Sequence, residues 1–228
     1  MALKAVLEDA AERGLERFVF LGDAVINGPD PQAVYDILAD LDMVAWVQGN
    51  TDDWFDDITP DWEPSNPDEE RALHYYTFAV EHLSSQAVEQ LGQLPFSRSL
   101  ELGDESVLCV HGSPRSYSEG MGPTVTTEEM MDMTFDVAEQ IVLCGHTHAP
   151  YEGYVGDRRI INPGAVGYSY DGDTRAAYGI LTVTKGGDVD FEHIRVVYDI
   201  EDAISRARDR GLPLIDRYES LLLHAQRV

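Results

Sequence analysis

Two histidines one residue apart, His146 and His148, follow the apolar run Ile141-Val142-Leu143-Cys144 across Gly145. A short run of aliphatic and β-branched residues reads as a buried strand. Period-two alternation at its end would send both imidazoles to one side, an arrangement suited to a first-row metal or a phosphate group. Three other apolar runs break in the same manner. Phe18-Val19-Phe20-Leu21 meets Gly22-Asp23, Val44-Ala45-Trp46-Val47-Gln48 meets Gly49-Asn50-Thr51-Asp52, and Val107-Leu108-Cys109-Val110 meets His111-Gly112-Ser113-Pro114. Ligands collect at the carboxyl ends of strands in open α/β sheets. Asp23, Asn50, His111, His146 and His148 thus form one mixed nitrogen and oxygen set, suited to Mn, Fe, Zn or related divalent ions.

The rest of the chain supplies the elements that must position these ends. Leu3, Val6, Leu7 and Ala10 recur at helical spacing before Gly14, a C-terminal stop. Strands are expected over 17–21 and 43–48, with a helix between them carrying Val34, Ile37, Leu38 and Leu41. From Asp52 to Asp68 the chain is acidic, with scattered prolines and the aromatics Trp54, Phe55 and Trp62. No period shows there, so a long surface loop beside the site is expected. Helical patterns occupy 68–82 and 84–94, with Ser84 or Ser85 as a cap. Strands at 97–102 and 106–110 flank the turn Gly103-Asp104, and 126–137 reads as a helix. Further strands fall at 151–155, 159–161, 177–184 and 188–197, and the tail is helical over 201–210 and 214–226. No domain boundary is visible, so one domain over 1–228 is expected. Arg115 is a candidate for a substrate phosphate, although a plain surface arginine is the commoner role.

The chain carries 42 acidic residues against 16 basic ones, a formal charge of −26, and only Lys4 and Lys185 are lysines. Such self-repulsion is costly in dilute buffer but is screened at molar salt, where the Debye length is about 3 Å. A halophilic cytoplasmic protein is expected. There is no basic stripe to bind nucleic acid, and no run of about 18 apolar residues to span a membrane. Cys109 and Cys144 sit inside apolar strands and read as buried small hydrophobes.

The ordered motifs Gly22-Asp23, Gly49-Asn50-Thr51-Asp52, His111-Gly112-Ser113-Pro114, Gly145-His146-Thr147-His148 and Asn162-Pro163-Gly164-Ala165-Val166-Gly167 resemble those of the calcineurin-like metallophosphoesterase superfamily. The similarity is greatest to its small prokaryotic phosphodiesterase/phosphatase branch and runs from the first helix to about Leu181. The resemblance implies a four-layer α/β/β/α sandwich and a centre of two divalent ions (Mn, Fe, Ni or Zn). It also implies hydrolysis of a small phosphomonoester or phosphodiester by hydroxide drawn from metal-activated water. Asp23 would bridge both ions, Asn50, His111 and His146 would complete the second, and His148 would serve the first. Asp52 would orient ligands from behind.

Two departures matter. Family members open with a strand ending in Asp-X-His, whereas Met1-Ala2-Leu3 already resembles the helix after it. The first strand is therefore expected to be missing and the chain as written to start late, with one ion in place of two. Thr51 stands where many relatives carry a histidine that contacts phosphate. The alternative function is a catalytically impaired one-metal or metal-free scaffold on the same fold, as in the retromer scaffold subunit that resembles this family.

Overall fold

The computed structural model describes residues 1–59 and 61–227. Helix α1 (Ala2–Glu12) buries Val6 and Ala10, one turn apart, and is followed by Gly14 at φ +72°, the left-handed stop that glycine adopts without a Cβ clash. Strands β1 (Phe18–Phe20) and β2 (Met43–Trp46) pair in parallel, joined through α2 (Pro31–Ala39), which opens with proline in its first turn. Then come α3 (Trp54–Asp57), α4 (Pro67–His82) and α5 (Ser85–Gly92). Asn66 caps α4 by accepting from the Asp68 and Glu69 amides, and Ser84 caps α5 at Ala87.

The large sheet contains β3 (Ser97–Leu102), β4 (Glu105–Val110), β5 (Ile141–Leu143), β6 (Tyr151–Val155) and β7 (Arg158–Asn162), in the order β3-β4-β5-β7-β6. β4, β5 and β7 are mutually parallel, and the edge strands β3 and β6 run antiparallel to them. Helix α6 (Thr127–Met133) precedes β5. The antiparallel pair β8 (Ala176–Val183) and β9 (Val189–Val196) follows, then α7 (Ile200–Asp209) and α8 (Ile215–His224).

Strand alternation sorts the core into layers. Val107 and Cys109 of β4, Ile141 and Leu143 of β5, and Ile161 of β7 pack against Ala45, Val47, Leu181 and Phe191 from the other strands. Their intervening neighbours Leu108, Val110, Val142 and Ile160 face outward onto Met130 and Met133 of α6. On the opposite side, Trp46 joins the helical core of Tyr35, Tyr75, Phe78, Leu91, Ile204 and Leu222. Helices, strands, strands, helix: the expected α/β/β/α sandwich is present.

Two local expectations change. The acidic segment after Asp52 contains α3, one helical turn whose Trp54 and Phe55 pack onto the helical core; burial of those rings overrides the aperiodic, charged composition. Helix α6 ends at Met133, short of 137: Thr134 turns its hydroxyl back onto the Met130 carbonyl at 2.8 Å, and Phe135 is 84 % exposed. No helix among the described residues is long and apolar enough to cross a membrane.

Among the described residues β1 pairs with no strand but β2, and β8 with none but β9. Between them lies a trench of about 840 Å³, lined by Val6, Phe18, Phe20, Leu102, Leu143, Ala177 and Ile180, that opens at one end onto Asp23, His111, His146 and His148. Protein interiors are close-packed and seldom keep voids much larger than a water molecule. This apolar trench beside α1, β1 and β8 is far larger than that.

Candidate metal centre

Each expected ligand sits where a strand stops. β1 delivers Asp23 through Gly22, where a Cβ would lie 2.5 Å from the Gly49 nitrogen and 2.8 Å from His111 Nδ1. At Gly49 a Cβ would fall 2.3 Å from Asp23 Oδ1. These two strand ends cross too closely for any side chain larger than hydrogen. Asp23, His146 and His148 adopt φ of 58°, 62° and 54°, left-handed conformations that are uncommon for residues with a Cβ and concentrate at functional sites.

Asp52, completely buried, accounts for much of this. Its Oδ2 accepts from the Asp23 amide at 2.7 Å and the Gly49 amide at 3.0 Å, and its Oδ1 from the Ala24 amide at 3.0 Å. One carboxylate thereby ties the end of β1 to the end of β2. Burial and the nearby Asp23 charge push its carboxyl up to about 6, while those three backbone donors pull the other way. Thr51 donates both its amide and its hydroxyl to Asp23 Oδ1 at 2.8 Å, which leaves Asp23 Oδ2 directed at the centre. Burial alone would raise Asp23; the His111 charge and the Thr51 donors override it and bring it down to about 2.

The imidazoles are held from behind. His111 Nδ1 lies 2.6 Å from the Leu21 carbonyl and His148 Nδ1 lies 2.9 Å from the Tyr168 carbonyl. His146 has the Ser118 backbone as its hydrogen-bond partner on the far side. Each carbonyl takes the N–H of its ring and so directs the other nitrogen's lone pair inward. His148 is further fixed by stacking on Tyr170 at 4.7 Å and 14°. Burial lowers the His146 pKa to about 4 and also lowers His148. At His111 burial is outweighed by the Asp23 carboxylate, and the ring is raised.

The inward atoms meet around Asn50. Its Oδ1 lies 2.8 Å from His146 Nδ1 and 3.1 Å from His111 Nε2; the two ring nitrogens are 3.3 Å apart, and His111 Nε2 is 3.3 Å from Asp23 Oδ2. With both rings neutral, a carboxylate oxygen, an amide oxygen and two imine nitrogens are all acceptors, and either a cation or the proton that Asp23 favours on His111 satisfies them. Donor atoms 2.8–3.3 Å apart are close enough to share one ion. Among the described residues no three His, Cys, Asp or Glu side chains by themselves form a group that could hold a metal ion; the convergence includes the Asn50 amide. Asp23, Asn50, His111 and His146 are thus the candidate ligands for a divalent ion.

A family model described as the calcineurin-like phosphoesterase superfamily domain matches residues 1–186. The chain belongs to the calcineurin-like phosphoesterase superfamily. A metallophosphoesterase from Sphaerobacter thermophilus is 26% identical, with a TM-score of 0.76 over 98% of this chain and 93% of its own. A hypothetical protein from Pyrococcus horikoshii shares the fold, with a TM-score of 0.79 at 20% identity over 100% and 94% of the two chains. An uncharacterized protein of Methanocaldococcus jannaschii is 25% identical over 93% of this chain and 88% of its own.

Not every candidate converges. Arg115 spends its guanidinium on Glu119, twice at 2.8 Å, and on Asp132 at 2.5 Å. It is not among the atoms that meet at Asn50. Conversely, the carbonyls of Leu21 and Tyr168 aim two histidines, and neither is signalled by its side chain. Asn162, which the sequence marks only as the start of the Asn162-Pro163-Gly164 run, is completely buried directly behind the histidine pair.

Proposed function

We propose that this member of the superfamily is a metal-dependent phosphoesterase acting on a small phosphomonoester or phosphodiester. The observation that carries the reading is the all-acceptor convergence of Asp23, Asn50, His111 and His146 at 2.8–3.3 Å. A divalent ion held there would lower the pKa of a water and neutralise charge on phosphoryl oxygens. The chain's own work is positioning. Asp52 fixes the Asp23 backbone, Thr51 turns its carboxylate, and backbone carbonyls set the histidine tautomers. The neutral amide of Asn50 limits negative charge that would repel an anionic substrate. Thr51 carries no readily ionised proton and its hydroxyl is engaged on Asp23, so leaving-group protonation falls to solvent or to an imidazole.

The alternative reading is a one-metal protein or a catalytically silent scaffold on the same fold. The two readings separate in one experiment. Manganese-loaded protein is assayed in molar KCl against p-nitrophenyl phosphate and bis(p-nitrophenyl) phosphate, with and without EDTA, beside the Asn50→Ala and His111→Ala variants. Turnover abolished by EDTA and by both variants is expected. Metal binding without turnover of either ester would favour the scaffold.

A further inference from the structure

We propose that Asn162 is a positioning residue that clamps the turn carrying His146 and thereby aims that imidazole at the ion; this rests on the metal-dependent reading above. The Thr147 amide donates to the Gly145 carbonyl at 2.7 Å. With His146 at φ +62°, this two-residue closure is a γ-turn of the positive-φ kind, the rarer and more strained form. A strained turn persists only where its surroundings over-determine it.

Asn162 does so with every part of its amide. Its Nδ2 donates to the Gly145 carbonyl at 2.6 Å and to Thr147 Oγ1 at 3.0 Å, one bond to each end of the turn. Its Oδ1 accepts from the Gly164 amide at 2.9 Å, which fixes the amide plane through the following Pro163-Gly164 bend. The residue is the last of β7, and β7 lies beside β5 in register, Leu143 opposite Ile161. The strand that neighbours the histidine strand therefore supplies its clamp. No other residue type offers two donors and one acceptor at this reach: aspartate has no donor at neutral pH, and glutamine is one methylene longer.

Partners that orient a metal ligand from behind typically change metal affinity 10- to 100-fold when removed. Manganese affinity is measured by electron paramagnetic resonance titration on wild type, Asn162→Ala, Asn162→Asp and Thr147→Val, with Leu91→Ala as a control for lost stability. Leu91 is buried in the helical core and is not one of the residues whose polar atoms meet at the site. The expected result is a 10- to 100-fold weaker Kd for Asn162→Ala and Asn162→Asp, a smaller loss for Thr147→Val, and wild-type affinity for Leu91→Ala. Hydrogen exchange of the Thr147 amide, followed in metal-free protein, should accelerate at least tenfold in Asn162→Ala. Wild-type affinity in both Asn162 variants, or an equal loss in Leu91→Ala, overturns the proposal. If Asn162→Ala does not fold, the isosteric Asn162→Asp decides. Wild-type protein that binds no manganese sinks the phosphoesterase reading and the purpose assigned to the clamp; unchanged Thr147 exchange sinks the clamp alone.

Discussion

Replacing Asp52 by asparagine keeps the size of the side chain and removes one acceptor from a place where three backbone donors converge. In its best orientation the new amide oxygen keeps the Asp23 and Gly49 amides, now bonded at 2.7 and 3.0 Å to Oδ2, and the new NH₂ faces the Ala24 amide that Oδ1 now satisfies at 3.0 Å. A buried donor left without a partner costs about 1–3 kcal/mol, and the two surviving bonds lose their charge assistance, about 1 kcal/mol each. Relief of repulsion with Asp23 offsets part of this. The expected net loss is about 3 kcal/mol, which at about 2–4 °C per kcal/mol for a chain of this size lowers Tm by about 6–12 °C. Urea denaturation of metal-free protein in molar KCl reads the difference directly, with the m-value unchanged because the same surface is exposed. A variant within about 0.5 kcal/mol of wild type would show that Asp52 does not tie the two strand ends together, and the explanation of the strained Asp23 backbone would fall with it.

Two further outcomes are expected. The charge of −26 predicts a Tm that climbs from dilute buffer to molar KCl as acid–acid repulsion is screened; a flat or falling Tm removes the halophile reading. The stability of metal-free protein should depend on pH through the buried groups of the site. His146, held neutral with a pKa of about 4 against an ordinary 6.5, withdraws stability as pH falls through that window, by at most about 3 kcal/mol and less for a partly exposed ring. His111, raised by Asp23, contributes stability that is complete below 6.5 and lost as pH climbs through its folded value. Asp52, raised to about 6 by burial and the Asp23 charge, acts in the opposite sense to His146 over this window, so the comparison is with His146→Ala: a variant that loses as much stability as wild type between pH 6.5 and 4 would contradict the His146 assignment.

Much of this site was legible because strand ends announce themselves. An apolar run that breaks at glycine beside Asp, Asn or His gives both an element and the direction of its last side chain. That is why Asp23, Asn50, His111, His146 and His148 stand out together although they lie far apart in sequence; the convergence at Asn50 includes the first four. The α/β/β/α layering came with the resemblance to the superfamily, and strand alternation carries it out: Val107 and Cys109 go one way, Leu108 and Val110 the other. What was not legible depends on backbone atoms or on distant partners. The carbonyls of Leu21 and Tyr168 act without regard to their side chains. The engagement of Arg115 with Glu119 and Asp132 joins residues 4 and 17 positions apart, and no local pattern marks it. The turn at α3 was hidden because burial of Trp54 and Phe55 outweighed an acidic, aperiodic surround. The role of Asn162 needed the register of β7 against β5, which a single sequence does not print.

The central claim is that Asp23, Asn50, His111 and His146 converge to hold a divalent cation. Crystals soaked in manganese and measured on both sides of the manganese absorption edge test it most directly. The predicted result is an anomalous peak within about 2.0–2.3 Å of Asp23 Oδ2, Asn50 Oδ1, His111 Nε2 and His146 Nδ1. A map with no peak there, from crystals that still diffract well at molar salt and neutral pH, would contradict it.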